Sequence, residues 1–132
     1  MADPSTGSCA CGGCPPIIID CIEFDRNLRL RDSAEELAFL AMECDRAGQA
    51  HLDAWLFNAY RDLAGDGPPR VLIDFYKAYN AFLRARIAIW HLDDPDTGSP
   101  QRWKSRANDY LAHVRQYLSR IHETDSGRRD RV

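Results

Sequence analysis

From Ala34 onward, apolar residues along this 132-residue chain recur at steps of three and four, the period of helices with one buried face. Asp32-Ser33-Ala34-Glu35 has the form of a capping box, in which the Asp side chain takes an early backbone N–H and Glu35 reaches back. It predicts a first helix from about Ser33 to Ala47, stopped by Gly48, with Leu37, Leu40, Ala41 and Cys44 as its apolar face and Ala34, Ala38 and Phe39 widening the stripe. A second helix, about Gln49 to Ala64, carries Leu52, Trp55, Leu56, Ala59, Tyr60 and Leu63 and ends at Gly65-Asp66-Gly67-Pro68-Pro69. A third, about Val71 to Leu92, is apolar almost all round through Leu72, Phe75, Tyr76, Tyr79, Phe82, Leu83, Ile87 and Trp90, which makes it the central helix of a bundle. Ser99 as N-cap and Pro100 as first helical residue open a fourth, apolar on one face from Trp103 through Ala107, Tyr110, Leu111, Val114 and Leu118 to Ile121. It is expected to end near His122, leaving residues 125–132 as a frayed tail.

Ahead of the helices the period changes. Residues 1–16, MADPSTGSCACGGCPP, have no apolar repeat and read as a flexible lead-in. Ile17-Ile18-Ile19 then predicts one short strand buried on both faces, with Asp20 where it stops and Asp25-Arg26-Asn27 as the turn after it. Leu28 to Leu30 can fold back as a hairpin remnant; otherwise the strand edge offers its backbone groups to a second chain. The expected architecture is therefore mainly α: a short β-strand or hairpin remnant leading into about four helices packed as an irregular bundle across residues 17–124.

Composition narrows the function classes. A net charge of −3 gives no support for nucleic-acid binding, and no apolar run is long enough to span a bilayer. Met1-Ala2-Asp3-Pro4 lacks the basic-then-apolar order of a secretory signal, so a cytoplasmic location is expected. Cys9, Cys11 and Cys14 form a C-x-C-x-x-C cluster, with Cys21 as a conceivable fourth thiolate for a soft metal. With an odd total of five Cys and no export signal, reduced thiols are the expectation. The run Asp93-Asp94-Pro95-Asp96-Thr97-Gly98 lacks the loop length and terminal Glu of an EF-hand and reads as a solvated turn. Lys77, Arg84 and Arg86 give the third helix a basic side, read as solvated rather than aimed at phosphates or acids.

A carboxylate at the end of a buried strand needs a partner. Asp20, with Glu23 three residues on, can cap a turn, pair with Arg26, Arg29 or Arg31, or bind a cation.

The run Ile19 to Leu40, IDCIEFDRNLRLRDSAEELAFL, resembles the segment after the catalytic loop in the aminoglycoside phosphotransferase and choline kinase superfamily. It is most similar to the bacterial group in which such a domain is fused to an ATP-binding domain. The likeness continues more weakly through Tyr60, Phe75-Tyr76 and Arg84-Ala85-Arg86, covering roughly residues 17–92, and implies the second half of a kinase C-lobe. It also implies that Asp20 is the counterpart of the kinase Asp that holds magnesium against nucleotide phosphates, with Glu23 able to add a second acid. At Glu36 the family usually carries an Asp that braces its catalytic loop; the longer side chain here reads as an exposed helical Glu.

No H-G-D-x-H-x-x-x-N-like loop precedes the strand in these residues, where the only acid is Asp3 and no His or Asn occurs before Asn27. A Gly-rich nucleotide loop with its strand Lys and a G-x-x-x-x-G-K-[ST] sequence are missing too. No catalytic residue is assigned. Two functions are expected from this sequence: a fragment or degenerate relative of a small-molecule kinase, inactive alone, or a helical interaction module. The first binds magnesium weakly, and ATP only if another chain supplies the missing lobe. The second pairs with a copy of itself or with another protein.

Overall fold

The computed structural model describes residues 32–93 and 98–129. Four helices make up these residues: α1 (Ser33–Arg46), α2 (His51–Ala64), α3 (Arg70–Trp90) and α4 (Pro100–Arg129). The strand expected at Ile17–Ile19, Asp20 and Glu23, the cysteines Cys9, Cys11, Cys14 and Cys21, and most of the acidic turn lie outside the described residues.

Local chemistry sets the helix ends. Asp32 caps α1 in extended backbone and accepts a hydrogen bond from the Ala34 N–H at 2.9 Å; its second oxygen accepts one from the Tyr76 hydroxyl of α3 at 2.8 Å. At the other end Gly48 takes the left-handed conformation, φ 77°, that a side chain would strain. The Gly48 N–H then reaches the Asp45 carbonyl at 3.0 Å and the Gln49 N–H the Cys44 carbonyl at 2.8 Å, a Schellman closure that uses two otherwise unpaired carbonyls. Pro69 precedes α3 in extended backbone, and Pro100 starts α4 as its sequence position suggests. α4 continues to Arg129, past His122, where the apolar period stops.

α3 is central, packed most extensively against α4 and next against α1, while α2 rests on α1. α3 and α4 run antiparallel, as the pairs Asp74 with Arg120, Lys77 with Tyr117 and His91 with Trp103 show. The seams are built largely of alanine: Ala38 and Ala41 on α1, Ala78, Ala81, Ala85 and Ala88 on α3, and Ala107 on α4 are buried. Larger core residues are few, chiefly Met42, Phe57, Ile73, Tyr110 and Tyr117. Small residues let helix backbones approach closely, but each buried methyl contributes only about 1 kcal/mol, less than a buried Leu or Phe.

The large apolar side chains lie outside instead. Phe75 is 53% exposed, Phe82 52% and Trp90 58%, and Val71, Tyr79 and Ile89 are also exposed. Val71, Phe75, Tyr79 and Phe82, at steps of three and four, form one row along α3 that Ile89 and Trp90 continue beyond Arg86, opposite the row of Asp74, Lys77, Ala78, Ala81, Ala85 and Ala88 that packs inward. The expected apolar face of α1 is largely kept, with Ala34, Ala38 and Ala41 buried and Leu37, Phe39 and Cys44 partly so, but Leu40 is half exposed and Met42, outside that expected face, is buried.

Candidate functional site

The inward row of α3 carries two charges, and the structure builds its most unusual feature around them. Lys77, at 0% exposure, is among the most deeply buried side chains described. Its ammonium lies 2.9 Å from Asp45 Oδ2 in the last turn of α1 and 3.0 Å from Asp53 Oδ2 in the first turn of α2. The Tyr117 hydroxyl of α4 donates to the same Asp45 oxygen at 2.7 Å, and its ring lies 5.4 Å below the ammonium. All four helices therefore meet at Lys77.

A second layer continues toward the N-terminal end of α3. Arg70 Nη2 is 2.7 Å from Asp53 Oδ2, and the same guanidinium grips Asp74, one turn on, through Nη2 at 3.1 Å and Nε at 3.2 Å. Arg120 Nη1 of α4 stands 3.8 Å from Asp74, and its guanidinium lies over the Tyr117 ring, 5.5 Å from the ring centre. Three carboxylates thus face three cations, and the cluster is neutral as a whole. Burying charge is costly unless it is paired in this way. One atom escapes the pairing: Asp53 Oδ1 is buried with no hydrogen-bond partner among the described residues.

The electrostatics follow from this geometry. Burial, reinforced by the hydrogen bond to Asp45 and that carboxylate's charge, pushes the Tyr117 phenol far above its ordinary value. For Arg70 burial works against the charged form, but the hydrogen bonds to Asp74 and Asp53 outweigh it and raise its pKa. A smaller cluster lies farther along. Glu43 accepts from Arg46 Nε at 2.9 Å and from the Tyr110 hydroxyl at 2.8 Å. Burial alone would raise the Glu43 carboxyl, yet these two bonds and the charges of Arg46 and Arg84 hold it below the usual range.

Such a network positions helices. Lys77 is sealed from solvent, so its amine is not presented to any substrate, and Tyr117 is held as a protonated donor. Nor is any group of three or more His, Cys, Asp or Glu placed to hold a metal ion among the described residues.

The basic side read from the sequence of α3 is thereby split. Lys77 is not solvated: it is the buried hub, because Asp45 and Asp53 arrive from two other helices to pair it. Arg84 lies over the Phe39 ring at 4.8 Å and 3.9 Å from Glu43, while Arg86 stacks over Trp90 at 4.6 Å on the outer face. Glu36 is exposed on α1, as expected. Sequence reasoning misses Asp45, Asp53, Asp74, Tyr117 and Arg120 altogether. A signal is present in α3: Asp74 and Lys77 fall in step with Ala78, Ala81 and Ala85, not with Phe75, Tyr79 and Phe82.

Comparison with known proteins gives a partial match. No family model matches the sequence, and no solved structure shows a significant match. Uncharacterized proteins from Mycobacterium bovis and from the H37Rv and CDC 1551 strains of Mycobacterium tuberculosis are each 39% identical to it over 72 residues. The matched stretch is 54% of this chain and 14% of each relative, so the chain is similar to a small part of much longer proteins. No helix among the described residues is long and apolar enough to cross a membrane.

Proposed function

We propose that this chain is a non-catalytic helical segment of kinase-like type, the back half of an aminoglycoside phosphotransferase-like C-lobe, and that it works only when another protein surface covers α3. The kinase-like part of this reading rests on the resemblance of Ile19 to Leu40, and the need for a covering surface on the reversal of sizes across α3, alanines inside and Val71, Phe75, Tyr79, Phe82 and Ile89 outside. Soluble monomers rarely leave so continuous an apolar face uncovered. The mycobacterial relatives are much longer than the stretch they share with this chain, and a protein of that length has further surface with which to cover such a face. In this reading Asp20 and Glu23 are the acids through which magnesium would be held weakly, and ATP binds only with a lobe contributed by another chain.

Phosphoryl transfer requires a positioned base and a nucleotide cradle, and no catalytic-loop counterpart occurs in these residues. The test is ATP turnover by the chain with a panel of aminoglycosides and amino-alcohols. No turnover above that of an Asp20→Ala variant is expected; turnover that Asp20→Ala abolishes overturns the proposal. The second reading, a helical interaction module, draws on the same row of side chains. It differs in predicting a symmetric dimer of the chain alone, which sedimentation at micromolar concentration detects.

A further inference from the structure

A separate pocket lies where the C-terminal end of α3 meets the start of α4. It encloses about 150 Å³ and is walled by Arg84 and Ile87 of α3, His91 just past its end, and Trp103, Arg106 and Tyr110 of α4. Sites for whole organic ligands usually run from roughly 300 Å³ upward, so this one takes a small group. The His91 and Trp103 rings stack with centroids 4.0 Å apart and an interplanar angle of 27°, giving the pocket one flat, stiff wall.

Its charge is unbalanced. Arg46 nearby is held by Glu43 at 2.9 Å and is 3.7 Å from Asp109. Arg84 has only a distant share of Glu43, at 3.9 Å, a carboxylate already bonded to Arg46 and Tyr110. Arg106 has no carboxylate partner among the described residues; its guanidinium lies 5.8 Å from the centre of the Trp103 ring. Two half-buried arginines thus line one small cavity, Arg84 with its guanidinium over the Phe39 ring at 4.8 Å, and the carboxylate within 4 Å of either among the described residues is that of Glu43. A planar fork of N–H donors beside a cavity of this size suits a tetrahedral oxyanion.

We propose that this pocket binds a small oxyanion, phosphate or the phosphoryl end of an organic phosphate monoester, through Arg106 and Arg84 against the His91–Trp103 wall. The site does not depend on the kinase-like reading. Its test is titration of the full chain with inorganic phosphate, read by the Trp103 indole N–H resonance and by calorimetry, followed by phenyl phosphate. A saturable shift of that resonance is expected. Arg106→Gln should weaken binding about tenfold or more, the scale of one charge-assisted contact. Arg86→Gln, which removes the same charge from the outer face, should leave it unchanged. Phenyl phosphate binding tighter than inorganic phosphate identifies an organic phosphate as the ligand; equal affinities identify the free anion. An Arg106→Gln protein that binds as well as wild type, an equal loss in Arg86→Gln, or no saturable shift in the wild type overturns the proposal.

Discussion

At Lys77 a single ammonium serves two carboxylates from different helices, and this decides what its removal does. Lys77→Met keeps most of the side chain's volume but leaves Asp45 and Asp53 buried without their shared cation. Breaking one partner out of a buried ionic group typically costs roughly 3–5 kcal/mol, a large part of the stability of a small domain. Urea unfolding should therefore show a much lower midpoint for Lys77→Met, whereas Tyr117→Phe, which loses one hydrogen bond to Asp45, should cost only about 1.5–3 kcal/mol. Glu43 supplies a pH signature. Its carboxyl is held below the ordinary value of 4.5 in the folded state, so its contribution is fully present above that value and is lost as pH falls through the lowered one. Acid unfolding followed by circular dichroism should show a weaker stability loss on that limb for Glu43→Gln than for wild type.

At the scale of elements, the helices themselves are legible in the sequence. Asp32, Gly48, Pro69 and Pro100 are end signals whose chemistry is local, and each stands at or beside a helix end. The inward faces are harder to read. Leu40 and Met42 both offer an apolar surface, and the helical period alone does not choose between them; docking against Ala81 and Ala85 of α3 selects Met42. Buried charge is the least legible of all, because Asp45, Asp53 and Lys77 are far apart in sequence and pair only once three helices have met. The candidate site is thus largely unreadable from the sequence, while the basic residues of α3 are plain in it. The end signals predict their own tests. Asp32→Ala removes both the α1 cap and the Tyr76 tie and should lower stability by about 1–2 kcal/mol in thermal melts. Gly48→Ala meets no atom within 4 Å, so its cost, about 1 kcal/mol, comes from the left-handed backbone alone.

For the molecule as a whole, the outer row of α3 sets the prediction. Phe75 and Phe82 are each about half exposed, so replacing both with Ser should change the melting temperature little. If the row docks against another copy, sedimentation of the wild type at micromolar concentration shows association that the double variant Phe75→Ser/Phe82→Ser loses. Added salt should leave the fold intact in both, because the ionic cluster that joins the helices is screened far less than surface charge.

The order in which the cluster's members leave the ribosome adds a constraint of its own. Asp45 and Asp53 emerge first, Lys77 follows, and Tyr117 and Arg120 come later still. A nascent chain that held only α1 and α2 would set two like charges side by side with nothing between them, since both reach within 3.0 Å of one ammonium that has not yet been made. Premature docking of that pair is thereby disfavoured, and the hydroxyl that completes the Asp45 contact arrives only with α4. The contact between α1 and α2 at Asp45 and Asp53 thus depends on side chains that follow both of them in the sequence.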